Sequence, residues 1–295
     1  MSVRGPLRWD RDGAHWPLRA HSRFVEAGGI RWHVQRLGAG PPLLLLHGTG
    51  ASTHSWQGVA ERLAGDFDVI VPDLPGHGFT SAPGAEGFTL RGMARGVRAL
   101  LRALDVRPRF AAGHSAGAAI LIRLHLDHGF PTDHLVSVNG ALLPFGFVQR
   151  GPLAWAARSL ASTRLASRLI AGRVGSPRAV EDIVRSSGSS PPRPSLACYA
   201  RLAASPDHVH AAIRMMAGWD LLAFGRDLVH VSLPVTLIRA DEDAFVPPDD
   251  AERVARQLRE ARVRRLPGLG HLAHEERPDE VAAELRAAFA TAGSG

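Results

Sequence analysis

The sequence predicts an α/β fold: a mostly parallel central sheet, helices on both faces, and a helical cap inserted between two strands. Three observations point there. Short, wholly apolar runs alternate with longer runs of helical spacing. The pentapeptide Gly113-His114-Ser115-Ala116-Gly117 stands between an apolar run and a helix-forming one. From residue 146 to 229 helical runs follow one another with no strand between them. The predicted core is therefore 1–145 and 230–295, and the predicted cap 146–229.

The 295 residues suit one large domain with an insertion and are ample for a sizeable core. No uncharged apolar run approaches the length of about 18 residues that a membrane helix needs. Residues 1–10 lack the apolar centre of a signal peptide, and the single cysteine, Cys198, excludes an internal disulfide framework. Both lead to the expectation of a cytoplasmic protein. All 35 residues counted as lysine or arginine are arginine. Codon preference in a GC-rich genome accounts for this most simply. The functional alternative is that forked cations suit carboxylate ligands or an anionic membrane surface. The arginines are spread along the chain rather than clustered with aromatic residues, which argues against a nucleic-acid-binding face.

In chain order, residues 1–22 read as a polar lead-in carrying Trp9 and Trp16. Residues 22–37 alternate apolar and polar around Gly28-Gly29, a β-hairpin pattern. Residues 41–46 are a strand buried on both faces, followed by His47-Gly48-Thr49-Gly50. A helix over 55–64 has Ser52 or Thr53 as its cap, and 66–73 is a second buried strand. Thr89 caps a helix over 89–104. The strand before Ser115, its helix, and a strand over 134–139 complete the first half. Ser186 to Pro194 interrupts the helical cap with serine, glycine and proline. Alternation then resumes: a strand over 233–238, a helix over 247–260, a strand over 262–266, the turn Pro267-Gly268-Leu269-Gly270-His271, and a last helix over 278–290.

The glycines around Ser115 have a steric reason. A serine on a strained strand-to-helix turn needs residues with almost no side chain two positions before and after it. Such a serine is a candidate nucleophile, and the N–H of Ala116, at a helix N-terminus, can face a developing oxyanion. A serine hydroxyl needs a base to take its proton, and the base needs an orienting carboxylate. Asp241, Glu242 and Asp243 compete for the carboxylate after the 233–238 strand. Of fifteen histidines, His271 is singled out by the glycine-rich turn before it and the final helix after it; His274 is its rival. His208 and His210 form an H-x-H without an evident third ligand and read as part of a solvated cap helix. His114 beside the serine, Phe145, and Trp155, Met215, Met216, Trp219 and Phe224 in the cap are candidate substrate contacts, with cap packing the alternative for each cap residue. No cofactor and no metal site is expected.

Taken together, His47-Gly48-Thr49-Gly50, Asp73 through Thr80, Gly113 through Gly117, Asp243-Ala244-Phe245-Val246-Pro247 and Gly270-His271 resemble the α/β-hydrolase fold from about residue 24 onward. The resemblance implies Ser115 as nucleophile, Asp243 as the acid and His271 as the base. It also implies the N–H groups of Thr49 and Ala116 as oxyanion donors. Ala240 departs mildly from a family that often has glycine there. Trp9 through Gly13, Ser22 through Gly29, Gly48 through Trp56, Gly113 through Ala119 and Asn139 through Phe145 are similar to magnesium-chelatase accessory proteins of bacteriochlorophyll synthesis. That similarity implies a role around magnesium insertion into protoporphyrin. A serine hydrolase of an ester or related acyl bond is the leading expectation. A porphyrin-binding accessory protein of magnesium chelatase, with arginines pairing propionates, is the second, and a generic carboxylesterase the third. Implied partners are an apolar small molecule such as a tetrapyrrole, and chelatase subunits. An apolar substrate also leaves peripheral membrane association open, though no basic amphipathic helix stands out.

Overall fold

The computed structural model describes residues 5–144 and 163–291. Its frame is one eight-stranded sheet in the order β1-β2-β4-β3-β5-β6-β7-β8. The hairpin strands β1 (Ser22–Ala27) and β2 (Ile30–Leu37) turn through Gly28 and Gly29, whose φ of 59° and 74° lie in the left-handed region that glycine adopts without cost. β2 also pairs antiparallel with β4 (Asp68–Pro72). Every other pairing is parallel, through β3 (Pro42–Leu46), β5 (Phe110–His114), β6 (His134–Val138), β7 (Val235–Ala240) and β8 (Ala261–Leu266).

The apolar run in β3 serves two cores at once. Leu43 and Leu45 face a layer built with α2 (Gln57–Leu63) and α12 (Pro278–Thr291). Leu44 and Leu46 face the layer of α3 (Leu90–Ala103) and α4 (Ala116–His128). All four are fully buried, and each contributes roughly 2 kcal/mol by leaving water. A strand covered on both faces has no polar side to alternate with, hence its unbroken leucine run. The described part of the lead-in, from residue 5, packs on the sheet's first half as well. A single turn, α1 (Trp9–Asp12), and Trp16 pack on Phe79, and the Trp16 indole donates to Thr53 Oγ1 at 3.1 Å.

Between β6 and β7 the described residues form five helices: α5 (Arg164–Val174), α6 (Pro177–Ser186), α7 (Arg193–Ala203), α8 (Pro206–Ala217) and α9 (Leu221–Asp227). α10 (Asp250–Ala255) and α11 (Ala273–Glu276) follow β7 and β8.

Thr89 caps α3 as expected, accepting from the N–H of Gly92 at 3.0 Å. Two local expectations need correction. Neither Ser52 nor Thr53 caps a helix with its side chain; a 3-10 turn over Thr53–Trp56 precedes α2, and its Thr53 N–H is taken by the Asp73 carboxylate at 2.7 Å. The helix expected over 247–260 is only α10: residues 247–249 form a turn, with the Asp250 N–H donating to the Pro247 carbonyl at 2.9 Å, and the chain leaves the helix again after Ala255.

Candidate active site

The loops that follow β3, β5, β6, β7 and β8 meet at the carboxyl edge of the sheet, the edge where open α/β sheets carry their sites. Ser115 stands directly after β5 with φ of 50°, a backbone that an L residue adopts only under strain. Its N–H donates to the Val138 carbonyl at 3.0 Å, which ties the turn to β6. A Cβ on Gly113 would run into the Ala118 backbone, and one on Gly117 into the Leu46 carbonyl. Strand and helix approach so closely that only glycine fits at either position.

After β8, His271 is buried and directs Nδ1 at Asp243 Oδ2, 2.7 Å away. The other oxygen of Asp243 accepts from the N–H groups of Phe245 and Val246 at 2.8 and 2.9 Å. These bonds fold the acid turn around the carboxylate and aim it. Asp241 points elsewhere, to Arg239 and Arg265 at 3.0 and 2.9 Å. His274 is fully buried between the rings of Trp56 and His114, and neither of its ring nitrogens has a hydrogen-bond partner among the described residues; Nε2 lies 3.9 Å from Glu275 Oε1. Burial pushes it down to about 3, so it stays neutral.

The His271 backbone is held from three sides. Its carbonyl accepts from Asn139 Nδ2 and from His114 Nε2, each at 2.9 Å, and its N–H donates to the Ser187 carbonyl at 3.2 Å. Because a carbonyl only accepts, the bond from His114 places that ring's proton on Nε2. Burial holds His114 well below its ordinary value and keeps it neutral. Asn139 itself sits at φ of 47° and accepts from the Ala240 N–H at 2.8 Å, so one side chain joins the ends of β6, β7 and the histidine loop. Ser187 and Ser189 come from the serine-rich interruption between α6 and α7. Ser187 also accepts from the Ala244 N–H at 3.2 Å, and Ser189 Oγ from the Leu272 N–H at 2.8 Å. The stretch that interrupts the helices thus clamps the acid and histidine loops.

The loop after β3 is set by Asp73. Its carboxylate takes the Thr53 N–H, the Phe79 N–H and His33 Nδ1 at 2.7, 2.9 and 2.8 Å. Burial alone would raise this acid; the His33 imidazole and the backbone donor outweigh it and hold it at about 2. His208 fastens α8 to the same loop, donating from Nε2 to the Gly50 carbonyl at 3.0 Å and accepting the Gly78 N–H on Nδ1 at 3.1 Å. The expected solvated helix is therefore corrected at His208, which is buried together with Ala211 and Met215 on the core face of α8. No group of three or more histidine, cysteine or acidic side chains among the described residues is placed to hold a metal ion.

Ser115, His271, Thr49, Ala116, His114 and Trp219 all line one cavity of about 660 Å³. Met215 does not. It is fully buried in the core beneath Thr49, as Phe224 is buried in the same core, whereas Met216 lines the cavity. Phe145 and Trp155 lie outside the described residues. Two pairings tie cap helix α7 to the histidine loop: the hydroxyls of Tyr199, at 2.6 Å, and of Ser195 both donate to the Glu275 carboxyl on α11. Burial pushes Glu275 up to about 7.

An α/β-hydrolase-fold family model matches residues 41–278, and the chain belongs to that family. Among curated proteins it is 37% identical over 268 residues to the magnesium-chelatase 30 kDa subunit of Rhodobacter capsulatus, covering 90% of this chain and 93% of that one. It is also 26% identical over 266 residues to the pimeloyl-acyl-carrier-protein methyl ester esterase of Nitrosospira multiformis, covering 88% and 98%. Among solved structures, the malate-bound thermophilic esterase of Thermogutta terrifontis superposes with a TM-score of 0.72 at 23% identity, covering 92% and 98%, and shares the fold. No helix among the described residues is long and apolar enough to cross a membrane.

Proposed function

We propose that the chain is a serine hydrolase acting on an ester or related acyl bond. The observation that carries this reading is the buried 2.7 Å pairing of His271 with Asp243 beside one apolar cavity that Ser115 also lines. Asp243 fixes the Nδ1–H tautomer of His271, which leaves Nε2 as the base. The Ser115 proton passes to that nitrogen as Oγ bonds to the acyl carbon. The N–H groups of Thr49 and Ala116 receive the oxyanion. Collapse breaks the bond to the alcohol, which leaves with the proton from His271. Water then repeats the sequence and frees the acid. Residues 163–229 act as the cap that keeps bulk water from this chemistry. The relative from Rhodobacter capsulatus, named a magnesium-chelatase subunit, supports a setting around magnesium chelatase, with chelatase subunits as partners.

That relative's name equally favours a second reading, an accessory protein that binds porphyrin without turnover. Against it, no arginine among the described residues lines the cavity to pair a propionate. Hydrolysis of 4-nitrophenyl esters separates the two. The hydrolase reading predicts turnover by the wild type, abolished in folded Ser115→Ala and His271→Ala. Equal rates in wild type and Ser115→Ala contradict it.

A further inference from the structure

The cavity's polar side chains are almost all engaged with the protein itself. Both ring nitrogens of His208 are bonded to backbone, at 3.0 and 3.1 Å. The Tyr199 hydroxyl donates to Glu275 and the Ser187 hydroxyl to the Val184 carbonyl, each at 2.6 Å. His114 spends Nε2 on the His271 carbonyl, and its Nδ1 is buried under Gly48, where an added Cβ would sit 2.8 Å from it. The Thr49 hydroxyl faces the sulfur of Met215. Among the described residues, what stays open to a ligand is Ser115, the free nitrogen of His271, and the backbone N–H groups beside the serine. The remaining wall is aliphatic or aromatic, as at Ile170, Val174, Val180, Val209 and Ile213. A chain with 35 arginines places none of them, and no aspartate or glutamate, on this wall among the described residues.

We infer that the substrate is an uncharged ester, free of charged groups on both sides of the bond that is cut. The inference rests on the hydrolase reading and names its substrate class. Among the described residues, a carboxylate carried into this cavity would leave water and find no cation, and no unspent donor apart from those committed to the reaction. The wall excludes free acids for want of a partner and accepts the same skeleton once the acid is masked.

The test uses three substrates on the whole protein: 4-nitrophenyl hexanoate, the 4-nitrophenyl monoester of adipic acid, and the methyl 4-nitrophenyl diester of adipic acid. The second carries a free carboxylate at the far end of the acyl chain; the third hides it at nearly the same length. The wild type is expected to cleave the diester about as well as the hexanoate. The free acid should be cleaved with kcat/KM lower by about 100-fold or more. Met216→Arg, at the half-exposed rim of the cavity (57% exposed), should narrow that gap at least tenfold by supplying a cation. Equal kcat/KM for acid and diester overturns the inference and leaves the hydrolase reading standing. No turnover of any of the three by folded wild type removes the hydrolase reading, and the inference with it.

Discussion

Asn139 Nδ2 lies 2.9 Å from the carbonyl oxygen of His271 while Asn139 Oδ1 takes the N–H of Ala240, three residues before Asp243. One amide therefore sets the distance between the acid turn and the histidine loop. It does so from a backbone at φ of 47°, where asparagine is among the few tolerated side chains. Asn139 is a positioning residue: it touches neither the reacting atoms nor the His271 ring, and acts through the peptide that carries that ring.

Asn139→Ala is expected to lower kcat by roughly 10- to 100-fold with little change in KM, because a misplaced base costs chiefly the chemical step. The buried Ala240 N–H loses its partner and the His271 carbonyl keeps only His114, so stability should fall by about 1–3 kcal/mol. Asn139→Gly relieves the backbone strain but lacks the amide. It should be more stable than Asn139→Ala and equally slow. Recovery of kcat in the glycine variant would show that strain, rather than the two hydrogen bonds, governs the site.

The two candidate acids should behave differently. Asp243→Asn keeps the shape of the turn but loses control of the His271 tautomer, and kcat is expected to fall on the order of 10⁴-fold. Asp241→Asn meets only Arg239 and Arg265 at the sheet edge and should leave kcat within about twofold, as expected for a partly exposed ion pair. Steady-state kinetics on the two purified variants checks this; a large loss in Asp241→Asn contradicts the assignment.

Gly48→Ala probes the packing of the loop after β3. The added methyl would sit 2.8 Å from His114 Nδ1 and 3.0 Å from Ser115 Cβ, so the nucleophile or the loop must move. The expected result is a folded protein by circular dichroism with kcat reduced by about 100-fold. Unchanged kcat would mean that the loop yields without disturbing Ser115.

Glu275 makes stability depend on pH. Its carboxyl stands at about 7 in the folded chain against an ordinary 4.5, so the fold binds its proton more tightly than the unfolded chain does. The stability contributed by that proton is fully present below about pH 4.5 and is lost as pH rises through 7. Between pH 5 and pH 8 the wild type should lose about 3 kcal/mol from this group. Glu275→Gln, which stays neutral, should lack that decline. Urea unfolding of both proteins at the two pH values measures the difference, and parallel behaviour would rule the explanation out.

Much of this was legible in the sequence where sterics leave few choices. Gly113 and Gly117 must be glycine for strand and helix to touch Ser115, and an unbroken leucine run such as β3 signals burial on both faces. His271 was legible by its place after the last strand. Asn139 appeared only as part of a resemblance, because its work is done on backbone carbonyls from a distant part of the chain, which no residue pattern records. Ser187 was hidden for the same reason, since it holds His271 and Ala244 through its carbonyl. Which of Met215 and Met216 faces the cavity was, by contrast, readable. Val209, Ile213 and Met216 fall on one helical face at i, i+4 and i+7, and they line the cavity. Ala211 and Met215 fall on the buried face turned away from it, and His208 lies between the two, buried yet lining the cavity. Reading His208 and His210 as a pair in an H-x-H obscured that phase, because residues two apart on a helix face away from each other.

The most direct test of the central claim is covalent labelling with a fluorophosphonate, followed by mass spectrometry of the peptide that contains Ser115. The account predicts rapid modification of Ser115 in the wild type, none in Ser115→Ala, and strongly slowed modification in His271→Ala, where the nucleophile lacks its base. Labelling at a different residue, or labelling of the wild type no faster than of His271→Ala, would contradict an activated serine at this site.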